Sequence, residues 1–287
     1  AAKVALSIRS AVADLQPSTL ASGRILAPEF VKNRTVETGK TDPSMPFLAF
    51  RQVTGRTSVL ASFGAHATVQ GADQMRISAD YPGAFTRNVE SHGVELALFM
   101  AGAVGSQAPK FSGDRKTAVQ TIGNGLAERL LAALAIAKFE NEVALGNASV
   151  PLALPAPQIR FADHWKIRPW LARMVLPQPG KPILQALRLG PTVWLSTPAD
   201  YSGEFGILLE DKLARVALIS SVTSFNGDYV GYLLPGRYDH FKAYESRDMN
   251  FFGPGMGDYV QDILERLADR VTGVPPRMTG ENASSLR

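Results

Sequence analysis

The sequence predicts an α/β fold of mixed β-sheets flanked by helices, and three observations predict it. Residues 115–139 carry Ala118, Val119, Ile122, Leu126, Leu130, Leu131 and Leu134 at helical spacing, the strongest amphipathic signal in the chain. Two pairs of apolar runs are joined by turn formers and read as hairpins. These are FLAFRQV with SVLASFG across Thr54-Gly55-Arg56, and LQALRLG with TVWLSTP across Gly190-Pro191. The runs VELALFMAGAVG and VALISSVTSF instead alternate with helical segments. Hairpins together with strand–helix alternation point to a mixed sheet, or a pair of sheets, with helices against it.

The remaining elements follow in order. AAKVALSIRSAVADL puts Val4, Ile8 and Val12 on one helical face and ends before Pro17. LASGRILAP is strand-like, and VKNRTVETGKTDPSMP is too rich in turn formers to be regular. ADYPGAFTRNVESHG reads as a helix with Pro82 in its first turn and His92-Gly93 capping its end. Residues 141–162 alternate as a strand, and 163–182 form an irregular insertion rich in Trp and Pro. Helices are expected in YSGEFGILLEDKLA and in DMNFFGPGMGDYVQDILERLADRV. No internal repeat is visible in the sequence. The pattern predicts a single domain over residues 1–271 and a disordered tail over 272–287.

Composition narrows the function. The 287 residues are 45% hydrophobic and 20% charged, ordinary for a folded protein with a sizeable core. The net charge of +4 is interspersed, with no basic arm or helix of the kind that binds nucleic acid. The absence of cysteine excludes a disulfide framework, a thiolate metal site and a thiol nucleophile. No apolar run approaches the ~18 residues of a membrane span. The opening residues are charged and do not read as a signal peptide.

Three segments carry the chemistry: FGAHATV around His66, TPADYSGEF around Asp200 and SFNGDYVGY around Tyr232. Each follows an apolar run, so each polar residue falls at or just past a strand end, where α/β proteins place their sites. One nitrogen and two oxygen ligands suit a zinc-type centre with room for water. Each residue also has an ordinary reading: His66 as a core histidine, Asp200 as a helix N-cap, Tyr232 as packing in a tyrosine-rich stretch. Glu204 is the weaker carboxylate, since it falls inside the helix. His164 in the insertion and His240 in an aromatic turn read as surface residues. FMAGAVGSQAP places Ser106 at the tip of a glycine turn but lacks the Gly-x-Ser-x-Gly spacing of a nucleophile elbow.

Taken together and in order, these segments resemble the catalytic domain of the neutral/alkaline, non-lysosomal ceramidase family. FGAHATV with ISADYPGAF is similar to that family's histidine segment, which places His66 on a zinc ligand. TPADYSGEF is similar to its Pro-Gly-Glu-Phe-Thr, with Asp200 rather than Glu204 on the carboxylate ligand. SFNGDYVGYLLPGRYDHFKAYES resembles its Asn-x-Tyr-x-x-Tyr segment, with Tyr232 on the tyrosine ligand. The resemblance implies a zinc-dependent hydrolase acting on an N-acyl, ceramide-like amide in a periplasmic or extracellular setting.

Three departures accompany it. The family's upstream zinc histidine has no counterpart here, which implies a preceding segment that completes the site. The family's catalytic serine falls on Ala108, leaving Ser106 as the candidate hydroxyl and the 105–109 turn as a donor of backbone N–H groups to the oxyanion. The family's C-terminal β-sandwich is absent. The alternative expectation is a degenerate, non-catalytic binding domain on the same scaffold.

Overall fold

A computed structural model describes residues 2–162, 165–176 and 179–273. The first half of the chain contains α1 (Ala2–Ala13), β1 (Ser18–Leu26), β2 (Val31–Asn33), β3 (Ser44–Gln52), β4 (Thr57–Phe63), α2 (Asp80–Ser91), β5 (Leu96–Ala101), β6 (Gln107–Pro109) and α3 (Arg115–Ala135). The second half contains β7 (Leu145–Pro151), β8 (Arg160–Ala162), β9 (Trp165–Lys166), α4 (Pro169–Val175), β10 (Ile183–Leu189), β11 (Thr192–Ser196) and β12 (Asp200–Tyr201). It continues with α5 (Gly203–Ala214), β13 (Ile219–Thr223), β14 (Tyr232–Leu233), α6 (Tyr244–Arg247) and α7 (Met256–Thr272).

Two four-stranded sheets organise these elements, in the orders β1-β3-β4-β5 and β7-β10-β11-β13. In each, the first two pairings are antiparallel and the last is parallel. The helix α2 crosses between β4 and β5, and α5 crosses between β11 and β13. A long helix follows each unit, α3 and α7. The halves therefore repeat one topology, although no repeat is legible in the sequence. The expected hairpins are present, with Gly55 (φ 88°) and Gly190 (φ 59°) supplying the left-handed turn positions.

The sheets stack face to face between helical layers. Phe47, Phe63, Tyr81, Phe85 and Leu126 pack the first sheet against α2 and α3. Leu184, Leu195, Phe205, Leu209 and Leu264 do the same for the second sheet with α5 and α7. Leu20, Leu48 and Trp194 fill the gap between the sheets. Residues 44–49 are buried on both faces, which accounts for the nearly continuous apolar run of β3.

The strand expected over 141–162 is shorter, ending at Pro151, because Pro151, Pro155 and Pro157 withhold ladder donors. α1 buries none of its residues. Among the described residues no helix is long and apolar enough to cross a membrane. Thr272 still belongs to α7, capped by Gly273 (φ 73°), while the rest of the expected tail and His164 lie outside the described residues.

Candidate active site

The repeated topology leads both parallel strand pairs to one place. His66 comes three residues after β4 and Asp200 four after β11, each between its strand and the crossing helix. These are the C-terminal strand ends at which α/β sheets hold ligands. Asp200 is not a helix cap: Ser202 caps α5, its hydroxyl accepting from the Glu204 N–H at 3.3 Å. Asp200 belongs instead to β12, whose parallel partner β14 sets it in register with Tyr232. Backbone pairing, not helix capping, fixes this carboxylate.

The three side chains meet. His66 Nε2 lies 3.2 Å from Asp200 Oδ1 and 3.5 Å from the Tyr232 hydroxyl. The Asp200 side chain is 3% exposed, yet Oδ1 has no hydrogen-bond donor. The 3.2 Å approach is therefore a close contact without donor geometry. The other oxygen is held, since the Tyr229 hydroxyl donates to Oδ2 at 2.6 Å. Burial and the neighbouring Asp200 carboxylate drive the Tyr229 phenol above its ordinary range. Burial, with Asp200 adding to it and Arg34 opposing, pushes the Tyr232 phenol up to about 12.

Arg34 is the residue beside these three side chains that sequence reasoning missed. Its Nη2 donates to the Tyr232 hydroxyl at 2.9 Å and its Nε lies 2.7 Å from Glu245. The Asn-Arg pair in the 31–46 loop gave no chemical pattern; only the approach of β2 to β6 brings it to the site. Phe225 and Tyr244 form an aromatic rim, with ring centroids 6.4 Å from His66 and 6.0 Å from Tyr232 respectively. Phe225 is a non-glycine residue held at φ 63°, a strained backbone conformation directly beside the site.

Ser106 has a different environment. It is 1% exposed, and its hydroxyl accepts from the Gly203 N–H and from the Ser202 hydroxyl, both at 3.1 Å. That ties the turn to the start of α5 and turns the hydroxyl toward a helix N-terminus. Two of the backbone donors expected from the turn are also engaged: Gly105 N–H donates to Tyr201 O at 2.7 Å and Gln107 N–H to Val104 O at 2.8 Å. Ala108 lies in β6, paired with Lys32.

Buried Gln107 fastens the site loops together. It donates to Gly64 O at 2.7 Å and accepts from the Asp42 N–H at 2.6 Å. Glu204 is buried against Arg237 and accepts from the Tyr238 hydroxyl at 2.5 Å, an ion-pair role away from the three side chains. Of the remaining histidines, His92 caps α2 and His240 is exposed.

Among the described residues no three His, Cys, Asp or Glu side chains gather into a metal site. A cation here has to be held by the imidazole, the carboxylate and the phenol. The donor set fits one. Two ligands ~2.0–2.1 Å from a tetrahedral zinc are separated by about 3.3 Å, close to the observed 3.2 and 3.5 Å. The orphaned Asp200 Oδ1 is the buried acceptor that such an ion satisfies.

No family model and no curated protein matches this sequence. Solved structures do. The crystal structure of neutral ceramidase from Pseudomonas aeruginosa aligns with a TM-score of 0.74 at 18% identity, covering 96% of this chain and 56% of that one. A ceramidase structure described as complexed with C2 aligns with a TM-score of 0.72 at 16% identity, covering 94% and 56%. The chain has the fold of these proteins over nearly its whole length and spans a little over half of theirs.

Proposed function

We propose that this chain carries a zinc-dependent hydrolase site for the amide bond of a lipid-like N-acyl substrate. The observation that carries the reading is the buried, donor-free Asp200 Oδ1 at 3.2 Å from His66 Nε2, with the Tyr232 hydroxyl beside them. The ceramidase fold supports the choice of bond, and one neighbour's description as complexed with C2 supports the substrate class. The exposed rings of Phe225 and Tyr244 at the rim suit an apolar chain.

His66, Asp200 and Tyr232 hold the ion in this reading. Zinc supplies a water of lowered pKa and polarisation of the scissile carbonyl when bound. Tyr229 fixes one oxygen of Asp200 and so leaves the other for the metal, the outer support that ligating carboxylates ordinarily have. Arg34, oriented by Glu245, presents a fixed positive charge beside Tyr232, where it stabilises negative charge developing on the acyl oxygen. The backbone N–H groups of Gly105 and Gln107 contribute nothing there in this reading, since both are bonded internally.

The test is a metal measurement followed by an assay. Purified protein exposed to zinc and dialysed should retain about one equivalent, and His66→Ala and Asp200→Ala should retain none. Hydrolysis of short-chain N-acyl substrates should follow the metal. Wild type retaining no zinc sinks the metal centre; retained zinc without hydrolysis of any N-acyl substrate leaves the degenerate binding domain.

A further inference from the structure

One surface of the molecule has no part in the site just described. α4 lies in the segment between β8 and β10 and is held by its inner side: Ala172 is fully buried, and Leu176 packs against the second core. Its outer side is apolar. Trp170 and Met174, 62% and 74% exposed, form one i,i+4 row; Leu171 and Val175, 39% and 68% exposed, form the next. A short helix seldom leaves four large apolar side chains of this kind in water without a use for them.

The charge along this stretch of sequence has one sign. From Trp165 to Ala199 the sequence contains Lys166, Arg168, Arg173, Lys181 and Arg188 and no acidic residue. Bulky apolar side chains with an indole among them, bordered by cations, match the boundary between headgroups and acyl chains of a membrane. The one-sided charge selects an anionic surface.

The location also suits this use. Arg160, at one end of the segment, donates to Ser246 O at 2.7 Å, next to Glu245, the partner of Arg34. Gly180, at the other end, donates its N–H to Asp228 at 2.7 Å, next to Tyr229, the partner of Asp200. Both ends are therefore tied to the loops that build the site.

We propose that the α4 face docks onto an anionic lipid surface, with Trp170, Leu171, Met174 and Val175 entering the interface and Lys166 and Arg168 meeting the headgroups. This goes beyond the hydrolase reading and is tested apart from it. The protein is cosedimented with vesicles of phosphatidylcholine alone and of phosphatidylcholine containing one-third phosphatidylglycerol, at low and high salt. Wild type should bind the anionic vesicles at least about tenfold more tightly than the neutral ones, given ~1 kcal/mol per basic residue near such a surface.

The double substitution Trp170→Ser with Met174→Ser should weaken binding to anionic vesicles at least about tenfold at either salt concentration. Lys166→Gln with Arg168→Gln should abolish the preference for anionic vesicles. All four side chains project from the surface, so unchanged circular dichroism and melting temperature are expected for both variants. Failure of wild type to bind, or binding indifferent to the Trp170/Met174 pair, overturns the proposal. So does self-association of wild type that the same pair abolishes, which would make the face a contact between copies. The vesicles contain no N-acyl substrate, so binding by an inactive protein, or activity without binding, separates this proposal from the hydrolase reading.

Discussion

Asp200 is a carboxylate with one oxygen bonded and one free, and that asymmetry is the most informative chemical fact in the molecule. Tyr229 creates it by donating to Oδ2 from a position three residues before Tyr232. Tyr229→Phe keeps the ring, which packs edge-on against Phe251, and removes only the hydroxyl. It should lower zinc affinity by about ten- to a hundredfold with the fold intact, as measured by competition with a chelator. Unchanged affinity would show that β12 alone holds the carboxylate. Ser106→Ala gives the contrasting result: the hydroxyl anchors the α5 N-terminus, so the loss should fall on stability, about 1 kcal/mol, with rate at full metal loading preserved to within about tenfold. That His66, Asp200 and Tyr232 come together was legible in the sequence because each lies in a compact segment that follows an apolar run. Arg34 and Phe225 were not, because nothing local marks a residue whose role depends on a strand pairing or on a strained φ elsewhere in the fold.

At the scale of elements, the site depends on close backbone approach more than on any one side chain. The β5–β6 turn passes so near β12 that a Cβ on Gly105 would lie 2.4 Å from Asp200 O. No rotamer relieves a clash with backbone, so Gly105→Ala has to shift β12, and Asp200 with it, relative to the β5–β6 turn. The expected outcome is a loss of about 2 kcal/mol in stability together with weakened zinc binding, read by denaturant titration and metal competition. Gly64, which faces Gln107 instead, meets a side-chain amide and should give a different pattern: loosened loops without displacement of Asp200. The hairpins and α3 were evident from sequence because turn formers and helical periodicity are local signals. β12 and β14, two residues each, were not, since strands that short carry no periodicity and exist only through their pairing.

For the whole molecule, the repeated halves explain why one imidazole and one carboxylate separated by 134 positions arrive together, each at the same place in its own unit. The packing of the two units also encloses a polar spot, where the segment before β3 meets β13 and α5. Asp42 is buried there beside a cavity lined by Ser44, Ser220 and Ser221, whose hydroxyls lack partners. Its Oδ1 accepts from the Ser44 N–H at 2.9 Å, but burial outweighs that bond and raises its pKa from 3.8 to about 6. The folded state therefore holds a proton that the unfolded state has already released between those two values. Stability from this group is full below the lower value, falls as pH rises through the window, and stays reduced above it. The size is about 3 kcal/mol at neutral pH, from roughly two units at 1.36 kcal/mol each. Asp42→Asn keeps the acceptor for Ser44 and removes the titration. The variant should match wild type near pH 3.5 and exceed it at pH 7 by up to ~3 kcal/mol, measured by urea denaturation across that range. Equal stability at both pH values would mean that Asp42 is ionised and satisfied within the cavity, with the three hydroxyls oriented toward it.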